Sequence, residues 1–376
     1  MKFNLIILTI FVLIAAGIFF LKLSPKNIQS PTPIPTPTTL PLSTGTDAEK
    51  TTIIAANLDT PWAIVFLPDG SMLVSERPGR VRLIGSNGQL QEAPVAVIDK
   101  VKEIGEGGLL GMTLHPDFSS NNYVYLYFTY QGSDRGTRNR VIRMKYQDNK
   151  LTDEKIIVDN IPGASNHNGG RIKFGPDNYL YITTGDAQNP SQAQDKNSLA
   201  GKILRVTQEG QPAPGNPFNN LVYSYGHRNA QGLAWDSQGR LWATEHGRSG
   251  LQSGLDELNI IEPGKNYGWP DIQGDEFKKD MVTPVAHSGS DTWAPSGLAY
   301  LGNSLYFGGL RGSALYEFNI NKQKLTEHFK NEFGRIRDVV VGPDNMLYVT
   351  TSNRDGRGNP ASDDDKIIRV NPSLLP

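Results

Sequence analysis

Four segments of the sequence carry more polar chemistry than turns between strands require. They are Ser165–Arg171 (SNHNGGR), Tyr225–Gly232 (YGHRNAQG), the stretch Glu245–Trp269 with its EHGR, DELN and NYGW strings, and Phe333–Asp338 (FGRIRD). A histidine titrates near neutral pH and is the natural proton acceptor there, and glycines let a backbone pass close to a ligand. His167, which has glycines two and three residues after it, is therefore a candidate general base.

Taken singly, these residues have simpler explanations. A lone histidine is more often a hydrogen-bonded structural residue, and the arginines of the second and fourth segments could be partners in surface ion pairs. The residue types alone leave both interpretations open.

The elements that must position these segments follow from an internal repeat. A turn rich in Pro, Asp, Asn and Gly precedes an alternating or aromatic strand, and this pair recurs six times. Proline sets φ for the turn, Asp and Asn tolerate the left-handed region, and aromatic or β-branched residues suit a half-buried strand. The turns are Leu67–Gly70, His115–Asp117, Gly175–Asn178, Trp235–Gly239, Leu301–Asn303 and Gly342–Asn345.

The spacing of these turns indicates the architecture. Successive turns lie 41 to 66 residues apart, which matches four short strands per repeat. A β-sandwich also contains such pairs, but six copies favour a ring, and no amphipathic helices separate them as an α/β fold would require. The sequence predicts an all-β, six-bladed β-propeller with four-stranded antiparallel blades over residues 48–376, with functional loops around one end of the central channel.

Composition excludes several classes of protein. The net charge of -1 and the pI near 6.6 provide no basic face for nucleic acid. There is no cysteine, so disulfides, thiolate zinc sites and an acylated-cysteine anchor are excluded. No GxGxxG string follows a strand, which argues against a nicotinamide domain.

The N-terminus predicts a membrane anchor. Leu5–Leu21 is an uncharged apolar run between Lys2 and Lys22, and as a helix it would span about 26 Å. A cleaved signal peptide is the alternative, but no clean small-x-small cleavage site follows the run. We expect an anchor over residues 1–23 and a Pro/Thr-rich disordered linker over residues 24–47.

The chemistry-bearing strings resemble a known family. In chain order they are EGGLLGMTLHPDF, SNHNGGRIKFGPD, YGHRNAQGLAWD, EHG with DELN and NYGWP, WAPSGLAY, and RIRDV. This ordered set, from Thr60 to Val370, is similar to the soluble quinoprotein glucose and sorbosone dehydrogenases, especially the aldose sugar dehydrogenases. The resemblance implies a six-bladed propeller that oxidises aldoses to lactones with pyrroloquinoline quinone (PQQ) and calcium. It also implies an external electron acceptor and an extracytoplasmic location.

The resemblance assigns roles to individual residues. His167 corresponds to the catalytic base that removes the proton of the anomeric hydroxyl, and Arg228 to the arginine beside the reacting carbonyl. Asn229 corresponds to a cofactor contact. Arg335 and Arg337 correspond to the pair that faces the cofactor's carboxylates, anions that suit guanidinium groups.

Calcium is implied in the same way. One ion would join the cofactor to the backbone carbonyls of Gly247 and Arg248, although relatives usually have proline at the second position. A second, structural ion would use the Glu257 carboxylate and the Tyr267 carbonyl. Both sets are hard oxygen ligands, which calcium prefers.

Three further cofactor contacts implied by the resemblance depart from the family pattern. Glu106 stands where glucose dehydrogenases have glutamine, Asn166 where they have aspartate, and Arg311 where they have lysine. A carboxylate at Glu106 beside an anionic cofactor requires neutralisation by Lys102, an arginine or calcium. The tail Asn353–Lys366 resembles a closing loop of these propellers. Its acidic residues could bind metal, but we expect them to lie in a solvated loop.

Two other functions remain alternatives at this stage. The same propeller could bind a glycan or a protein at the surface without catalysis. It could also be a calcium-dependent lactonase, which would need several carboxylates and asparagines around the metal. The match at the histidine and the arginines favours the dehydrogenase.

Overall fold

The computed structural model describes residues 48–376, which form six four-stranded antiparallel sheets. The first described strand is β1 (Thr51–Ala55), which belongs to the sixth sheet. The predicted membrane segment and linker, residues 1–47, lie outside the described residues. Within residues 48–376, no helix has both the length and the hydropathy needed to cross a membrane.

The six sheets follow one another along the chain. The first sheet comprises β2 (Pro61–Phe66), β3 (Met72–Glu76), β4 (Arg80–Ile84) and β5 (Ala96–Val97). The second comprises β6 (Leu109–Leu114), β7 (Tyr123–Gln131), β8 (Thr137–Gln147) and β9 (Lys150–Pro162). The third comprises β10 (Ile172–Phe174), β11 (Leu180–Thr184), β12 (Lys202–Val206) and β13 (Val222–Tyr225). The others comprise β14 (Ala230–Trp235), β15 (Leu241–Glu245), β16 (Glu257–Ile261) and β17 (Ala286–His287); β18 (Pro295–Leu301), β19 (Ser304–Gly309), β20 (Ala314–Asn319) and β21 (Lys324–His328); and β22 (Ile336–Val341), β23 (Leu347–Thr351), β24 (Ile367–Val370) and β1.

The sheets are the blades of a propeller. First strands of neighbouring sheets pack against each other, as in β2 with β6, β6 with β10, β14 with β18, and β18 with β22, and β22 packs against β2 to complete the ring. The second strands β3, β11, β15 and β23 are buried at every position, because neighbouring blades cover both faces. The prediction of six four-stranded antiparallel blades is confirmed.

The predicted turns join the first and second strands of the blades. In five of the six, the last turn residue has a φ between 58° and 82°, which explains the Gly or Asn there. In four turns an aspartate Oδ1 accepts a hydrogen bond from the amide two residues later, at 3.0 Å for Asp69, 3.2 Å for Asp177, 2.9 Å for Asp236 and 3.3 Å for Asp344. The second turn instead leads into a short helix, α1 (Phe118–Asn121).

The ring closes by pairing the two ends of the described chain. β1 pairs antiparallel with β24, with Thr51 opposite Val370, and so becomes the outer strand of the sixth blade. On the channel side, the amide of Ile64 donates to Oδ2 of Asp338 at 3.0 Å and joins the first blade to the sixth. Three short 3₁₀ helices, Pro190–Ala193, Gly250–Gln252 and Pro372–Leu374, lie in loops and at the C-terminus.

Candidate functional site

His167 lies in the loop between β9 and β10, and its backbone has a φ of 60°. A side chain other than glycine keeps this conformation where its surroundings impose it, often at functional sites. Its Nδ1 lies 2.8 Å from Oδ1 of Asp186, whose side chain is fully buried just after β11. Because the carboxylate accepts the hydrogen bond, Nδ1 carries the proton and Nε2 is left as an acceptor.

Asp186 is itself held by two further donors. Its Oδ1 accepts from the Gln188 amide at 2.8 Å, and its Oδ2 accepts from the indole nitrogen of Trp269 at 2.9 Å. The loop of His167 can approach β11 because of Gly169, where a Cβ would lie 2.5 Å from the Thr183 carbonyl oxygen. Asp186 therefore fixes the orientation of the imidazole, and Gln188 and Trp269 in turn fix Asp186.

Arg228 follows β13 and is nearly fully buried. Its Nη2 donates to the Ser249 hydroxyl at 2.7 Å, and its guanidinium lies 5.3 Å from the ring centre of Trp269. Its backbone amide donates to the Glu245 carboxylate, which also contacts Nδ1 of His227 at 2.8 Å. This buried carboxylate and imidazole fix the backbone at Arg228.

Six of the residues singled out from the sequence line one cavity of about 350 Å³ among the loops between the blades. They are Glu106, Gly247, Arg248, Arg311, Arg335 and Arg337. His167 and Arg228 border this cavity, since their hydrogen-bond partners Glu106 and Ser249 line it. Asn229 is buried next to Arg228, and its Oδ1 accepts from the Gly169 amide at 2.9 Å.

Several buried donors of the site have no hydrogen-bond partner among residues 48–376. These atoms are Nε of Arg228, Nε of Arg337 and Nδ2 of Asn229. Burial lowers the pKa of Arg337 to about 9 and also lowers the pKa of Arg228. An unpaired buried donor is costly, and a bound anion removes that cost. The donor set fits a ligand with several carboxylates, as expected for PQQ.

The two arginines of the RIRD string differ in their contacts. Arg335 is already paired, because its Nε and Nη2 donate to Oδ2 of Asp355 at 2.9 and 2.7 Å and its Nη1 donates to the Leu310 carbonyl at 3.1 Å. Arg337 donates through Nη1 to the Gln231 side chain and lies 5.5 Å from the Trp62 ring centre. Arg337 thus has more unused capacity for an anion than Arg335.

Arg311 lies at the exposed rim of the cavity. Its Nη1 donates to the Ser253 hydroxyl at 3.1 Å. A guanidinium held by one hydroxyl can turn towards an anion inside the cavity, so its position is compatible with the predicted contact.

Glu106 is neutralised by a residue that the sequence did not indicate. Its Oε1 lies 2.7 Å from Nη1 of Arg357, and Nη2 of the same arginine donates to Oδ1 of Asn166 at 2.9 Å. Oε2 of Glu106 accepts from the His167 amide at 3.0 Å. Burial alone would raise the pKa of Glu106, but the nearby His246, the Arg357 guanidinium and the hydrogen bond from the His167 amide lower it to about 2. Glu106 is therefore a carboxylate at neutral pH.

The loop of Gly247 and Arg248 lines the same cavity. The Gly247 amide donates to Oδ1 of Asp256 at 2.8 Å, which fixes the loop, and a Cβ at Gly247 would lie 2.2 Å from the Leu255 carbonyl oxygen. The Arg248 carbonyl accepts only a long contact of 3.4 Å, from the Gly254 amide. Carbonyl oxygens with spare capacity beside a carboxylate fit a calcium ion.

Glu257, the first residue of β16, does not line this cavity. Burial and the nearby Glu245 raise the pKa of Glu257 to about 8. The side-chain oxygens of Asn259 and Gln273 beside it are buried and have no hydrogen-bond partner among residues 48–376. A buried acid surrounded by unpaired oxygens fits a cation.

Tyr267 is buried, and its ring stacks on His227 with centroids 4.7 Å apart. In the described part of the chain, no cluster of three or more His, Asp or Glu side chains could hold a metal. Either predicted calcium site would therefore depend on carbonyl and amide oxygens.

The expectation of a solvated tail loop is wrong for three of its four acids. The side chains of Asp355, Asp364 and Asp365 are buried, and Asp363 is exposed. Oδ1 of Asp365 accepts from the Asn353 amide at 2.6 Å and from the Thr351 hydroxyl at 3.0 Å. The acid folds inward because it satisfies donors that the loop leaves without backbone partners.

Sequence reasoning missed four residues of the site. His246 belongs to the EHG string and Asp186 to none of the quoted strings, and neither carries a signal of its own in the sequence. Arg357 and Asp355 lie in the tail, and only the fold brings them to the cavity. His246 lines the cavity, and its buried Nε2 has no partner within residues 48–376.

Comparison with known proteins agrees with this architecture. The sequence model of the family "Glucose / Sorbosone dehydrogenase" matches residues 58–368. An aldose sugar dehydrogenase of Escherichia coli is 34% identical over 340 residues, covering 81% of this chain and 90% of that protein. The PQQ-bound aldose sugar dehydrogenase of Streptomyces coelicolor has 39% identity and a TM-score of 0.79, covering 85% of this chain and 97% of that one. The apo-form of the soluble E. coli aldose sugar dehydrogenase has 31% identity and a TM-score of 0.76, with coverages of 85% and 98%.

The fold and the site together define a six-bladed propeller oxidoreductase with a histidine and several arginines at one central cavity. The chain belongs to the glucose / sorbosone dehydrogenase family. The family assignment made from the sequence strings is confirmed.

Proposed function

We propose that the protein oxidises aldose sugars to lactones with PQQ, with His167 as the general base and an external acceptor for the electrons. The observation that carries the proposal is the pairing of His167 with Asp186, which leaves Nε2 as an acceptor, beside a cavity where Nε of Arg228 and Nε of Arg337 have no partner within residues 48–376. When bound, PQQ supplies a two-electron oxidant that can take the anomeric hydride.

The chain's own residues perform the proton chemistry and the binding. His167 takes the proton of the anomeric hydroxyl at Nε2, while Asp186 holds the Nδ1 proton and stabilises the imidazolium that forms. Arg228 supplies positive charge beside the reacting centre. Arg337 and Asn229 donate to the cofactor from atoms that are otherwise unpaired.

The remaining contacts belong to the same proposal. Arg311 binds cofactor carboxylates from the rim, and the buried Arg335 binds them through the N–H groups that Asp355 and the Leu310 carbonyl leave free. Glu106 and Asn166 form the wall beside the base.

Calcium would be held at two places. The carbonyls of Gly247 and Arg248 would hold one ion at the cofactor, and Glu257 with the carbonyl of Tyr267 would hold a structural ion. The Glu257 carboxyl, which a bound cation would ionise despite its raised pKa, and the long hydrogen bond of the Arg248 carbonyl support these sites.

The setting of the enzyme is proposed from the sequence. Residues 1–23 would anchor the propeller to a membrane, and residues 24–47 would hold it away from the surface in an extracytoplasmic compartment.

Reconstitution tests the function. The full chain, purified in detergent and loaded with PQQ and Ca²⁺, is expected to reduce an artificial dye when aldoses are added. His167→Ala should bind PQQ, seen by its absorbance, and lose turnover by about 10²- to 10⁴-fold because the base is gone. Failure of the wild type to bind PQQ and to reduce dye across a broad aldose panel contradicts the proposal. Hydrolysis of lactones without dye reduction would instead indicate the lactonase.

A further inference from the structure

Arg357 joins loops that are far apart in the sequence. It lies in the loop after β23, and its guanidinium contacts Glu106, 251 positions away, and Asn166, 191 positions away. The two distances are 2.7 and 2.9 Å, so one planar fork bridges three blades across the mouth of the cavity. Its side chain is 52% exposed, whereas that of Glu106 is 16% exposed.

The bridge continues to the backbone of the base. Glu106 accepts from Arg357 with one oxygen and from the His167 amide with the other. A glutamine at this position has one acceptor oxygen and would lose one of these two bonds. Asn166, the second partner of Arg357, directly precedes His167. Both contacts of Arg357, with Glu106 and with Asn166, therefore act on the segment that holds His167 at its positive φ.

Asp355 holds the loop that carries Arg357 in place. Oδ1 of Asp355 accepts from the Arg357 amide at 2.9 Å, and Oδ2 binds the Arg335 guanidinium. One buried carboxylate thus orders both the bridging arginine and an arginine of the cofactor cavity. The chain of contacts runs without a gap from Asp355 to the amide of His167.

We propose that Arg357 is a positioning residue for this reaction: through Glu106 and Asn166 it holds the His167 segment in the geometry that proton transfer requires. The inference rests on the proposed function, since His167 must act as the base. Arg357 acts through Glu106 and Asn166, the two residues that its guanidinium contacts. Its loss is therefore expected to affect kcat and to leave KM for the aldose nearly unchanged.

The test is a double-mutant cycle in the full, PQQ- and Ca²⁺-loaded chain. Arg357→Gln and Glu106→Gln are each expected to lower kcat about tenfold with KM within about twofold, because a small displacement of a base is costly. The double variant should be no worse than either single one, since both break the same bridge. Arg357→Lys keeps the charge but reaches one partner at a time, and should fall between wild type and Arg357→Gln.

A second measurement follows the segment without turnover. Hydrogen exchange of the apo protein should show faster exchange of the His167 amide in Arg357→Gln and Glu106→Gln, by about tenfold, with the strands of the same blade unchanged. The matched control is Arg354→Gln in the same loop, whose side chain binds the Asp364 and Ser362 carbonyls and does not line the cavity. It should lower the melting temperature without the loss of kcat.

The outcomes separate the two proposals. A wild type that oxidises no aldose overturns the proposed function itself. An active wild type with unchanged kcat and unchanged exchange in Arg357→Gln overturns the positioning role. Strictly additive losses in the cycle, or an equal loss of kcat in Arg354→Gln, also overturn it, because general loop stability would then explain the effect.

Discussion

At the scale of single residues, Asp186 decides which nitrogen of His167 carries the proton. Asp186→Asn keeps the shape but can offer an NH₂ group to Nδ1, which favours the tautomer with the proton on Nε2. We expect kcat to fall by about 10³- to 10⁴-fold while PQQ binding is retained. Steady-state dye reduction and PQQ absorbance measure the two effects. Asp148→Asn, at an exposed turn, is the control and should behave as wild type; an Asp186→Asn enzyme with normal kcat would contradict this role.

Glu106 makes stability depend on pH in an acidic window. Its pKa is lowered to about 2 in the folded protein from an ordinary value of 4.5, so the folded state binds fewer protons between these values. Its stabilising contribution is therefore complete above pH 4.5 and is lost as the pH falls towards 2. The difference in unfolding free energy between wild type and Glu106→Gln, measured with urea, should shrink on going from about pH 6 to about pH 3. A difference that stays constant with pH would disprove the assignment.

Residue types and order could predict the cavity but not its internal pairing. Arg335 and Arg337 lie on the cavity as the RIRD string suggested, and Arg311 lies on it as the resemblance implied. The pairing of Arg335 with Asp355, twenty positions later, was not predicted. Ion pairs of this kind depend on which loops the propeller brings together, and the sequence around a single Asp or Arg does not indicate its distant partner.

At the scale of elements, the loop 185–201 between β11 and β12 positions Asp186, and a buried lysine holds the loop. Nζ of Lys202 donates to the carbonyls of Gln192 at 2.7 Å, Ala193 at 3.0 Å and Ala200 at 2.5 Å. Burial lowers the pKa of Lys202 to about 7, while the three acceptors match the three protons of the ammonium group. The lysine thus holds a loop of the candidate site through three hydrogen bonds to its carbonyls.

Lys202→Met should therefore destabilise the protein strongly. Three carbonyls lose their donor, which is expected to reduce the free energy of unfolding by about 3 kcal/mol. Urea unfolding measures the change. The matched control is Lys173→Met, since Lys173 is also removed from solvent but donates only one long bond, 3.4 Å to the Leu233 carbonyl. Equal losses for the two variants would show that the carbonyl cage is unimportant.

The β-strands were predictable from the sequence because a recognisable turn precedes the second strand of each blade. Asp177 and Asp344 have the expected role in their turns. Each also accepts hydrogen bonds from a tyrosine on the second strand of its blade and from an arginine on the third strand, and the turn pattern did not predict these contacts. The burial of Asp364 and Asp365 in the loop after β23 was not predicted. Their carboxylates turn inward to accept hydrogen bonds from backbone amides of the same loop, and the sequence does not show which amides the folded loop leaves without backbone partners.

At the scale of the whole molecule, β1 keeps the ring closed. A chain that starts at residue 56 would leave the outer edge of β24 unpaired, whereas one that starts at residue 48 retains all 24 strands. We expect the shorter chain to unfold roughly 5 °C lower and to aggregate. Calorimetry and light scattering of the two chains provide the comparison. Equal midpoints and equal solubility would mean that the pairing of β1 with β24 contributes little.

The same closure has a consequence for biosynthesis. β1 is among the first strands made, and its partner β24 is completed more than 300 residues later, since Thr51 pairs with Val370. At about 5–20 residues per second, translation leaves β1 waiting for roughly 15–60 s before the ring can close. During that time the backbone of β1 has no strand partner, so the sixth blade cannot take its native form before the C-terminal strand has been made.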